Sequence, residues 1–392
     1  MKIFNLRLAL ALSLIFMFNF EVNAQNSTIE EVIVSAEKRD ESLQDISQAV
    51  SALTDSDLEN KNIESFVDLS AIVPGVTVSK NEGYKTVISI RGVGNETNQN
   101  AIAAPSVAFH IDGVFIASPF SLLSDFIDID RIEVLRGPQG TLFGQNSTGG
   151  AINVISKKPT TDDYYGKADV TLGNYDLLKY RSSVNIPINE KVATRFSFSS
   201  TERDGFSENI VNGQDLDDAN NLSLRSDWVI ETSETSSLRI FAQYFDIDRN
   251  GAAMRGIDDQ TAGIRHLAQD TLSNQELTSK VFAAIYEQDL GYANLKILAS
   301  SQEDDISVTR DNDRHNLGET VAAIPGLEGT TYIKAEFRPE TSLVETKTLE
   351  VNLISNEPIL NGKLDWVAGA FYMDHKIENH IKGYRDWDAN GE

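Results

Sequence analysis

Five glycines crowd into one loop of the segment Arg131–Ser156, and this loop is the first place to look for chemistry. They are Gly137, Gly140, Gly144, Gly149 and Gly150. A phosphate-binding loop needs a lysine directly after its last glycine, whereas Gly144 is followed by Gln-Asn-Ser. A dinucleotide loop opens a helix, whereas Ala151–Ile155 alternates as a strand does. Since glycine permits positive φ and close backbone approach, we expect the loop to serve packing.

The other residue types that carry chemistry are absent or scattered. The sequence has no cysteine, which excludes thiolate metal sites and a cysteine nucleophile. Its five histidines are dispersed, and the closest pair, His375 and His380, lies beside a predicted loop. No Gly-x-Ser-x-Gly elbow marks a serine hydrolase, and the formal charge of −25 disfavours a nucleic-acid partner. Asp128 and Asp130 are expected to be solvated or paired with neighbouring arginines. We therefore expect no enzyme and no resident metal or cofactor.

The N-terminus has the pattern of a secretory signal peptide over residues 1–24. Lys2 and Arg7 precede the apolar run Leu8–Phe20, and Val22–Ala24 offers small residues for cleavage after Ala24. The run is shorter than the roughly 20 residues of a membrane-spanning helix, so a short membrane anchor is the weaker alternative. No later stretch is long enough for such a helix, and we expect the mature chain to be either soluble or a β-barrel.

Residues 28 to 160 predict a compact region of short strands with one or two helices. A helix is predicted over Ser56–Leu69, with Thr54 or Ser56 as its N-cap. Asp112 and Gly113 predict a tight hairpin turn. The predicted strands are Thr86–Arg91, Ser106–Ile111, Val114–Ile116, Ile127–Leu135 and Ala151–Ile155. Such short elements indicate a mixed α+β domain.

From about residue 162 the chain becomes a succession of alternating strands. About nine are predicted, of roughly 8 to 11 residues, the length of a tilted membrane-spanning strand. They are Lys167–Leu172, Tyr180–Ile186, Val192–Ser200, Leu222–Ile230, Leu238–Asp246, Val281–Ile285, Ala293–Ala299, Leu349–Leu353 and Leu364–Tyr372. Short connections are expected near residues 187–191, 232–236, 289–292 and 356–363, and long loops over 203–220, 248–278 and 302–345. This alternation favours an outer-membrane barrel over a soluble sandwich or propeller.

The strand count carries a further expectation. Bacterial single-chain barrels have an even number of strands, and about nine would leave open edges in lipid. We therefore expect the sequence to be the N-terminal part of a longer protein. A truncated product without activity is the alternative.

The ordered motifs of residues 28–160 resemble the plug domain of TonB-dependent outer-membrane receptors. The glycine loop within Arg131–Ser156 is one such motif, and Glu30–Ala36 resembles the TonB box that precedes these plugs. The other matching pieces are, in order, Glu41–Ile46, Val50–Thr54, Asp68–Ser70, Val73–Val76, Ile88–Gly94 and Ile111–Val114. Each piece is weakly specific, whereas the ordered set is strongly so. The later residues match the family by strand pattern only.

The resemblance implies an α+β plug domain, residues 41–160, inside a transmembrane antiparallel β-barrel. Residues 162–392 would supply about nine of its roughly 22 strands. It also implies a receptor in the outer membrane of a Gram-negative bacterium, embedded in lipid, that captures a scarce solute. The inner-membrane protein TonB then supplies energy, and the plug is remodelled so that the solute passes chemically unchanged.

The resemblance also assigns roles to residues. The TonB box would cover residues 28–36, with Glu30, Glu31, Val32, Ile33, Val34 and Ser35 as its partner-binding core. Such a segment can add as a strand to a partner's sheet, or could instead dock on the plug's own sheet. The plug-core residues would be Arg91, Gly92, Asp112, Gly113, Arg136, Gly137, Gly140 and Gly144. Arginines like Arg91 and Arg136 face acidic groups of the barrel wall in the family, and solvated surface charge is the alternative.

The solute is the least constrained part of the prediction. The resemblance favours a ferric siderophore, with haem, cobalamin or an oligosaccharide as alternatives. Candidate contacts are the loops of residues 95–104 and 115–121, which we expect to face outward. In the first loop, hydrogen-bonding side chains are offered by Asn95, Asn98, Gln99 and Asn100. A secreted, soluble β-rich binding protein is the alternative from another class of function.

Overall fold

Short strands, several buried on both faces, build the first region of the protein. The computed structural model describes residues 33–35, 38–39, 41–42, 44, 46, 48–81, 85–94, 105–118, 120–123, 126–256, 259–312, 314, 333–362, 364–382 and 384–387. The first ten strands are β1 (Ile33–Val34), β2 (Glu41–Ser42), β3 (Val50–Thr54), β4 (Val76–Asn81), β5 (Lys85–Ile90), β6 (Val93–Gly94), β7 (Val107–Ile111), β8 (Val114–Phe115), β9 (Ile129–Arg136) and β10 (Gly150–Ser156). Strands β1–β10 and the segments between them are called the plug region below.

The plug region contains three sheets around one apolar core. Its five-stranded sheet has the order β3-β9-β10-β7-β8, in which only β10 and β7 are parallel among the described pairs. The others are the three-stranded sheet β4-β5-β6 and the pair β1-β2. Phe66 lies at the centre of the core, with its ring 4.6 Å from that of Phe109 and 4.5 Å from that of Phe126, both edge-on. Such edge-to-face pairs stabilise a core beyond the area that they bury.

The helix predicted over Ser56–Leu69 is wrong as a single element. The structure has α1 (Asp55–Asn60), a 3-10 turn (Phe66–Asp68) and α2 (Leu69–Ile72). The predicted cap at Thr54 is confirmed, with a capping box to Asp57. The helix then stops because Asn62 adopts φ 51°, while the amides of Asn62 and Ile63 bond to the carbonyls of Glu59 and Leu58. That is the Schellman arrangement, in which asparagine can replace glycine.

Long antiparallel strands follow the plug region and form a separate, larger sheet, called the wall below. Its strands are β11 (Tyr165–Gly173), β12 (Leu177–Asn189), β13 (Val192–Arg203), β16 (Ala219–Ser233), β17 (Ser236–Arg249), β19 (Asn274–Asp289), β20 (Ala293–Asp311), β21 (Ile333–Ser355) and β22 (Val367–Ile381). They are paired in that order, and β23 (Tyr384–Trp387) pairs with β21. Beyond the wall, β14 (Ser207–Asn209), β15 (Gln214–Leu216) and β18 (His266–Leu267) form a small sheet, and α4 spans Ile359–Gly362.

The prediction of about nine wall strands is confirmed within the described residues, where the short β23 joins the same sheet, but the strand lengths were underestimated. They run from 9 to 23 residues, and the last begins at Val367 rather than Leu364. Polar stretches such as Glu303–Asp305 continue the ladder of β20, although they break the apolar alternation. The long connections are correspondingly shorter than expected, over residues 204–218, 250–273 and 312–332. The short ones at the opposite end include residues 190–191, 234–235 and 290–292.

Alternation along the wall places one face against the plug region. On β19, Leu277, Val281 and Ile285 are buried, whereas Lys280 and Phe282 between them are exposed. Val281 and Ile285 belong to the same apolar cluster as the plug core. The predicted fold class is therefore confirmed as an α+β plug packed on the inner face of an antiparallel transmembrane-type sheet. None of the described helices is long and apolar enough to cross a membrane.

The glycine loop is built for close packing at its C-terminal end. Gly150 has φ 145°, and a Cβ atom there would lie 2.2 Å from the carbonyl oxygen of Leu135. At Gly149 a Cβ would lie 2.8 Å from the carbonyl oxygen of Val93. Both distances are shorter than a van der Waals contact, and the obstacle is backbone in each case. Because these two glycines have no side chain, β10 can pair directly with β9 and its start can approach the backbone of β6 closely.

Replacing Gly150 by alanine is expected to prevent normal folding of the plug region, because neither the backbone of β9 nor that of β10 can yield. We expect at least a severalfold lower amount of folded protein in cells and a lower Tm of the purified protein. The matched control is Gly140→Ala in the same loop, where the nearest atom to a Cβ is 3.9 Å away. Its effect should stay within about 1 kcal/mol. Equal behaviour of the two variants would contradict the packing role.

Candidate functional site

Two predicted plug-core pairs form the tips of tight hairpins. Arg91 and Gly92 join β5 to β6 with φ of 52° and 77°, and Asp112 and Gly113 join β7 to β8 with φ of 51° and 84°. Two positive φ values in a two-residue connection are those of a type I′ turn. The remaining predicted glycines lie in the loop after β9. Gly137 and Gly144 have positive φ, and Gly140 begins the one-turn helix α3 (Gly140–Phe143).

A buried charge cluster joins the plug to the wall at Asp112. Arg225 Nη2 donates to Asp112 Oδ2 at 2.7 Å, and Arg239 Nη1 donates to Asp112 Oδ1 at 3.2 Å. Ser156 of β10 donates to the same carboxylate from its backbone nitrogen at 3.0 Å and its Oγ at 2.9 Å. Both arginines also donate to Asp227, at 2.9 and 2.6 Å. Two carboxylates thus neutralise two guanidinium groups.

The Asp112 cluster is shielded from water. Its four charged side chains are between 0% and 9% exposed. Burial alone raises the pKa of Asp112, but Arg239, Arg225 and the hydrogen bonds from Ser156 outweigh burial and lower the pKa to about 2. A carboxylate with a lowered folded-state pKa contributes its stability above its ordinary pKa and loses it as the pH falls through the folded value. The plug–wall contact therefore stays charged until the pH approaches about 2.

A second buried contact joins the plug to the wall at Asp128. Arg195 of β13 binds both carboxylate oxygens of Asp128, with Nη2 at 2.8 Å from Oδ1. Ser197 Oγ donates to Oδ2 at 2.7 Å. The expectation for Asp130 is met, because it pairs with Arg131 at 2.8 Å. Asp128 pairs instead with an arginine 67 positions away in sequence, which no local pattern indicates.

The contacts described for Arg91 and Arg136 lie within the plug region. Arg91 is exposed at its hairpin tip. Arg136 is partly buried and donates from Nη2 to Ser51 Oγ. Within the described residues, the ion pairs between plug and wall are formed by other side chains, notably Asp112 and Asp128.

The predicted TonB box is described only at its C-terminal end, since Glu30, Glu31 and Val32 lie outside the described residues. Ile33–Val34 pairs antiparallel with Glu41–Ser42. Val34 is fully buried, whereas Ile33 is 50% exposed. The described end of the segment is thus docked on the plug, which was the alternative arrangement. Beyond it, Lys38 pairs with Glu350 of β21 at 2.8 Å.

Glu133 holds the docked segment, and the sequence analysis missed it. It is fully buried in β9 and accepts hydrogen bonds from Ser35 N at 2.9 Å and Ser35 Oγ at 3.1 Å. Arg131 Nε donates to the same carboxylate at 2.9 Å, and Asn153 Nδ2 donates at 3.3 Å. The available signal was a carboxylate between the apolar residues Ile132 and Val134, since a carboxylate is rarely buried unless it is paired.

Replacing Glu133 by glutamine is expected to loosen the docked segment, because a hydrogen bond to a charged group is roughly 1 kcal/mol stronger than a neutral one. A single nitroxide on Ile33→Cys, in a chain without native cysteine, should then show a clearly larger mobile fraction. Asp130→Asn is the matched control, since Asp130 is 47% exposed and also binds Arg131. An unchanged spectrum for Glu133→Gln would remove Glu133 as the anchor.

The predicted ligand loops are only partly described. Asn95, Asn98, Gln99 and Asn100 lie outside the described residues. In the second loop Phe115, Ile116, Phe120 and Ser121 are at most 6% exposed. Gln302 Nε2 of β20 donates to the carbonyl oxygen of Phe115 at 2.5 Å. This stretch contacts the wall.

Histidines and carboxylates do not assemble a metal centre in the part of the chain that the structure describes. His110 is buried in β7, with its ring 5.5 Å from that of Phe115 and 5.2 Å from that of Phe143. Burial, and secondarily the charge of Lys38, lower the pKa of His110 to about 3. A histidine neutral over the whole physiological range and packed between aromatic rings is a core residue.

Comparison with known proteins matches the plug region to a family. Residues 42–151 match the family model described as TonB-dependent Receptor Plug Domain. An iron-regulated outer membrane virulence protein of Vibrio cholerae is 32% identical over 157 residues, which are 38% of this chain and 24% of that protein. A vitamin B12 transporter of Vibrio vulnificus is 27% identical over 186 residues, which are 47% of this chain and 30% of that protein.

The fold is shared with a solved receptor structure. The ferric yersiniabactin uptake receptor of Yersinia pestis superposes with a TM-score of 0.70 at 16% identity, covering 87% of this chain and 50% of that one. The chain thus spans about a quarter to a third of the length of these curated relatives. These relatives disfavour the soluble β-rich alternative. Residues 42–151 thus match the plug domain of TonB-dependent receptors in sequence, and the chain shares its fold with a solved outer-membrane uptake receptor.

Proposed function

We propose that this protein takes part in energy-dependent uptake across the outer membrane, capturing a ferric siderophore and passing it to the periplasm. The observation that carries the proposal is a plug-family domain whose apolar core continues onto the inner face of nine antiparallel strands. In a completed barrel, a domain held in this way would obstruct the lumen. Members of this family are transport receptors and not enzymes.

The choice of an iron chelate is the finer part of the proposal. It is supported by an iron-regulated relative and by the shared fold of a ferric yersiniabactin receptor. Cobalamin is the alternative with specific support, from the vitamin B12 transporter. Haem and oligosaccharides stay as further alternatives from the sequence analysis.

Uptake of radiolabelled ligands by intact cells tests the proposal. A deletion strain should lose uptake of at least one ferric siderophore and regain it when the gene is restored. Labelled cobalamin and haem are measured in parallel, so that a different solute is recognised at once. No dependence of any iron chelate on the gene would refute the siderophore proposal, and recovery of the protein from soluble periplasm would refute outer-membrane uptake.

TonB is the proposed partner, and residues 28–36 are the proposed contact. The described end of this segment is a strand of two residues that pairs with one neighbouring strand, with Ile33 half exposed. Main-chain pairing with a partner's sheet edge would need this short strand to leave the plug. The docking on Glu133 then sets how readily the segment is available.

A further inference from the structure

Asp304 of β20 is buried where the plug contacts the middle of the wall. Its side chain lies on the inner face of the sheet and is 2% exposed. Ser121 Oγ of the plug donates to Asp304 Oδ1 at 2.7 Å. Ser279 of β19 and Ser118 of the plug also hydrogen-bond to this carboxyl group, and the hydroxyl oxygens of Ser279 and Ser121 are 3.5 Å apart. Serine side chains from both plug and wall thus surround one acid.

Asp304 differs in its partners from the other acids between plug and wall. Asp112 and Asp128 are bound by arginines of the wall. Within the part of the chain that the structure describes, Asp304 forms no ion pair, and its partners are hydroxyl groups. A hydroxyl group can donate to a carboxylate or accept from a carboxylic acid. Since a buried charge without a counter-ion is costly enough that the group tends to neutralise, these surroundings favour the neutral acid.

Charged and titratable side chains on the neighbouring elements either face away from Asp304 or have partners of their own. Glu303 and Asp305, the adjacent acids in β20, lie on the opposite face of the sheet. There Glu303 pairs with Lys280 of β19 at 2.7 Å. The remaining groups are Glu340 of β21, which lies 3.6 Å from both Lys85 and Arg310, and His375 of β22, which hydrogen-bonds to Thr346 at 2.9 Å.

The outer half of β20 extends beyond the lipid. The strand has 19 residues and leads from a short connection to a long one, whereas a tilted spanning strand needs about 9 to 11. Its outward-facing side chains are apolar at Ile297 and Ala299 and polar from Ser301 onward, and Glu303 is 46% exposed. A charge on the lipid-facing side is destabilising at bilayer depth, and the long connections of such barrels are extracellular. Asp304 therefore lies above the lipid, on the side of the external medium.

Burial raises the pKa of Asp304, and the negative charge of Glu303 raises it further, whereas hydrogen bonds from the three serines lower it without cancelling the rise. An acid with a raised folded-state pKa contributes its stability below the ordinary pKa of aspartic acid and loses it as the pH rises through the folded-state value. This sign is opposite to that at Asp112, whose pKa is lowered. A rise in external pH therefore weakens the contact at Asp304 and leaves the Asp112 cluster unchanged.

We propose that Asp304 is a pH-sensitive switch that controls the contact of plug residues 118–121 with the wall. The neutral acid keeps these residues on the wall through its hydrogen bonds with the serines. When its proton passes to water, the buried carboxylate has no counter-ion, and residues 118–121 separate from the wall so that water can solvate the charge. Phe120 of this stretch then leaves its apolar cluster with Phe245 and Ile306. The switch goes beyond the proposed function and does not depend on which solute is carried.

Spin labelling of the plug at different pH values tests the switch, because the chain has no native cysteine. Ala117 is half-buried directly before residues 118–121, so a nitroxide on Ala117→Cys reports whether they are on the wall. The purified full-length protein is titrated from about pH 4, near the ordinary pKa of aspartic acid, to about pH 9. Asp304→Asn keeps the shape of the side chain and cannot ionise. Asp305→Asn is the matched control, the same change at the adjacent residue on the exposed face.

The mobile fraction of the label should at least double from the lowest to the highest pH in the otherwise unchanged protein and in Asp305→Asn. In Asp304→Asn it should stay constant within the error of the measurement. The Tm of the wild type should fall relative to that of Asp304→Asn as the pH rises. If Asp304→Asn does not fold, Asp304→Ser replaces it as a variant that cannot ionise and keeps a hydroxyl group.

Three outcomes overturn the switch. The first is a mobile fraction that does not change with pH while Asp304 is present, and the second is an equal change in the variant that cannot ionise. The third is a Tm of Asp304→Asn below that of the wild type at the highest pH, since Asp304 would then be a stabilising carboxylate like Asp112. These measurements need no ligand and no uptake, so a failure of the proposed function leaves their result unaffected.

Discussion

Replacing Val32 and Val34 together by proline is expected to reduce ligand uptake at least tenfold, to the level of cells that lack TonB, while surface binding of the ligand stays unchanged. Proline has no amide hydrogen and cannot donate to a sheet ladder. Two lost donors in a segment this short leave little main-chain pairing for a partner. Radiolabelled uptake and equilibrium binding on whole cells measure the two quantities separately.

Two control variants separate the roles of this segment. Val32→Ile with Val34→Ile keeps both amide groups and the strand propensity, so uptake should be retained. Glu133→Gln loosens the docking of Ser35 without removing any amide from the segment, so it should not reproduce the proline phenotype. Normal uptake by the proline variant would refute the placement of the energy-coupling segment at residues 28–36.

Among the changes considered, replacing Asp112 by alanine is expected to destabilise the contact between plug and wall most. Arg225 and Arg239 would share only Asp227 in a site where none of these side chains is more than 9% exposed. Breaking a buried ion pair by removing one partner costs about 3–5 kcal/mol. We expect a large fall in Tm of the purified receptor and increased permeability of the outer membrane to bulky antibiotics.

The matched control for this change is Asp130→Ala, which removes a carboxylate from the same region of the chain. Asp130 is 47% exposed and pairs with Arg131, so its loss should cost less than about 1 kcal/mol. The guanidinium carbon of Arg225 lies 4.1 Å from the centre of the Phe241 ring. A double variant that also replaces Arg225 by methionine should therefore recover part of the stability. If Asp112→Ala and Asp130→Ala changed the Tm and the permeability equally, the Asp112 cluster would not stabilise the contact between plug and wall.

Sequence patterns correctly predicted those elements whose conformation depends on residues adjacent in the chain. The hairpin at Asp112-Gly113 has the positive φ values that the residue pair suggested. The capping of α1 by Thr54 is also as predicted. The end of that helix at Asn62 was missed, because apolar residues at Ile63 and Phe66 continued the helical spacing although the backbone had already turned.

Several assigned roles stay predictions after the structure. Asn95, Asn98, Gln99 and Asn100 lie outside the described residues, so their role in solute binding is as open as before. The role of Arg91 and Arg136 toward acidic groups of the wall also stays a prediction, since their described contacts lie within the plug region. The exposure and the ion pairs of a charged side chain depend on which distant residues the fold places beside it. The spacing of residues in the sequence does not indicate those neighbours.

The amino-acid sequence by itself determined the type of each part of this protein: a short-stranded plug, a run of nine alternating strands and a glycine-rich loop between two strands. These features depend on side-chain periodicity and on backbone conformations open to single residues. Only the tertiary structure decided the contacts between the parts. Asp112 meets Arg225 across 113 positions, and Ser35 meets Glu133 across 98. A buried charge without a partner costs much free energy, so each of these two buried carboxylates is paired. Which partner is near depends on how the strands are ordered in space.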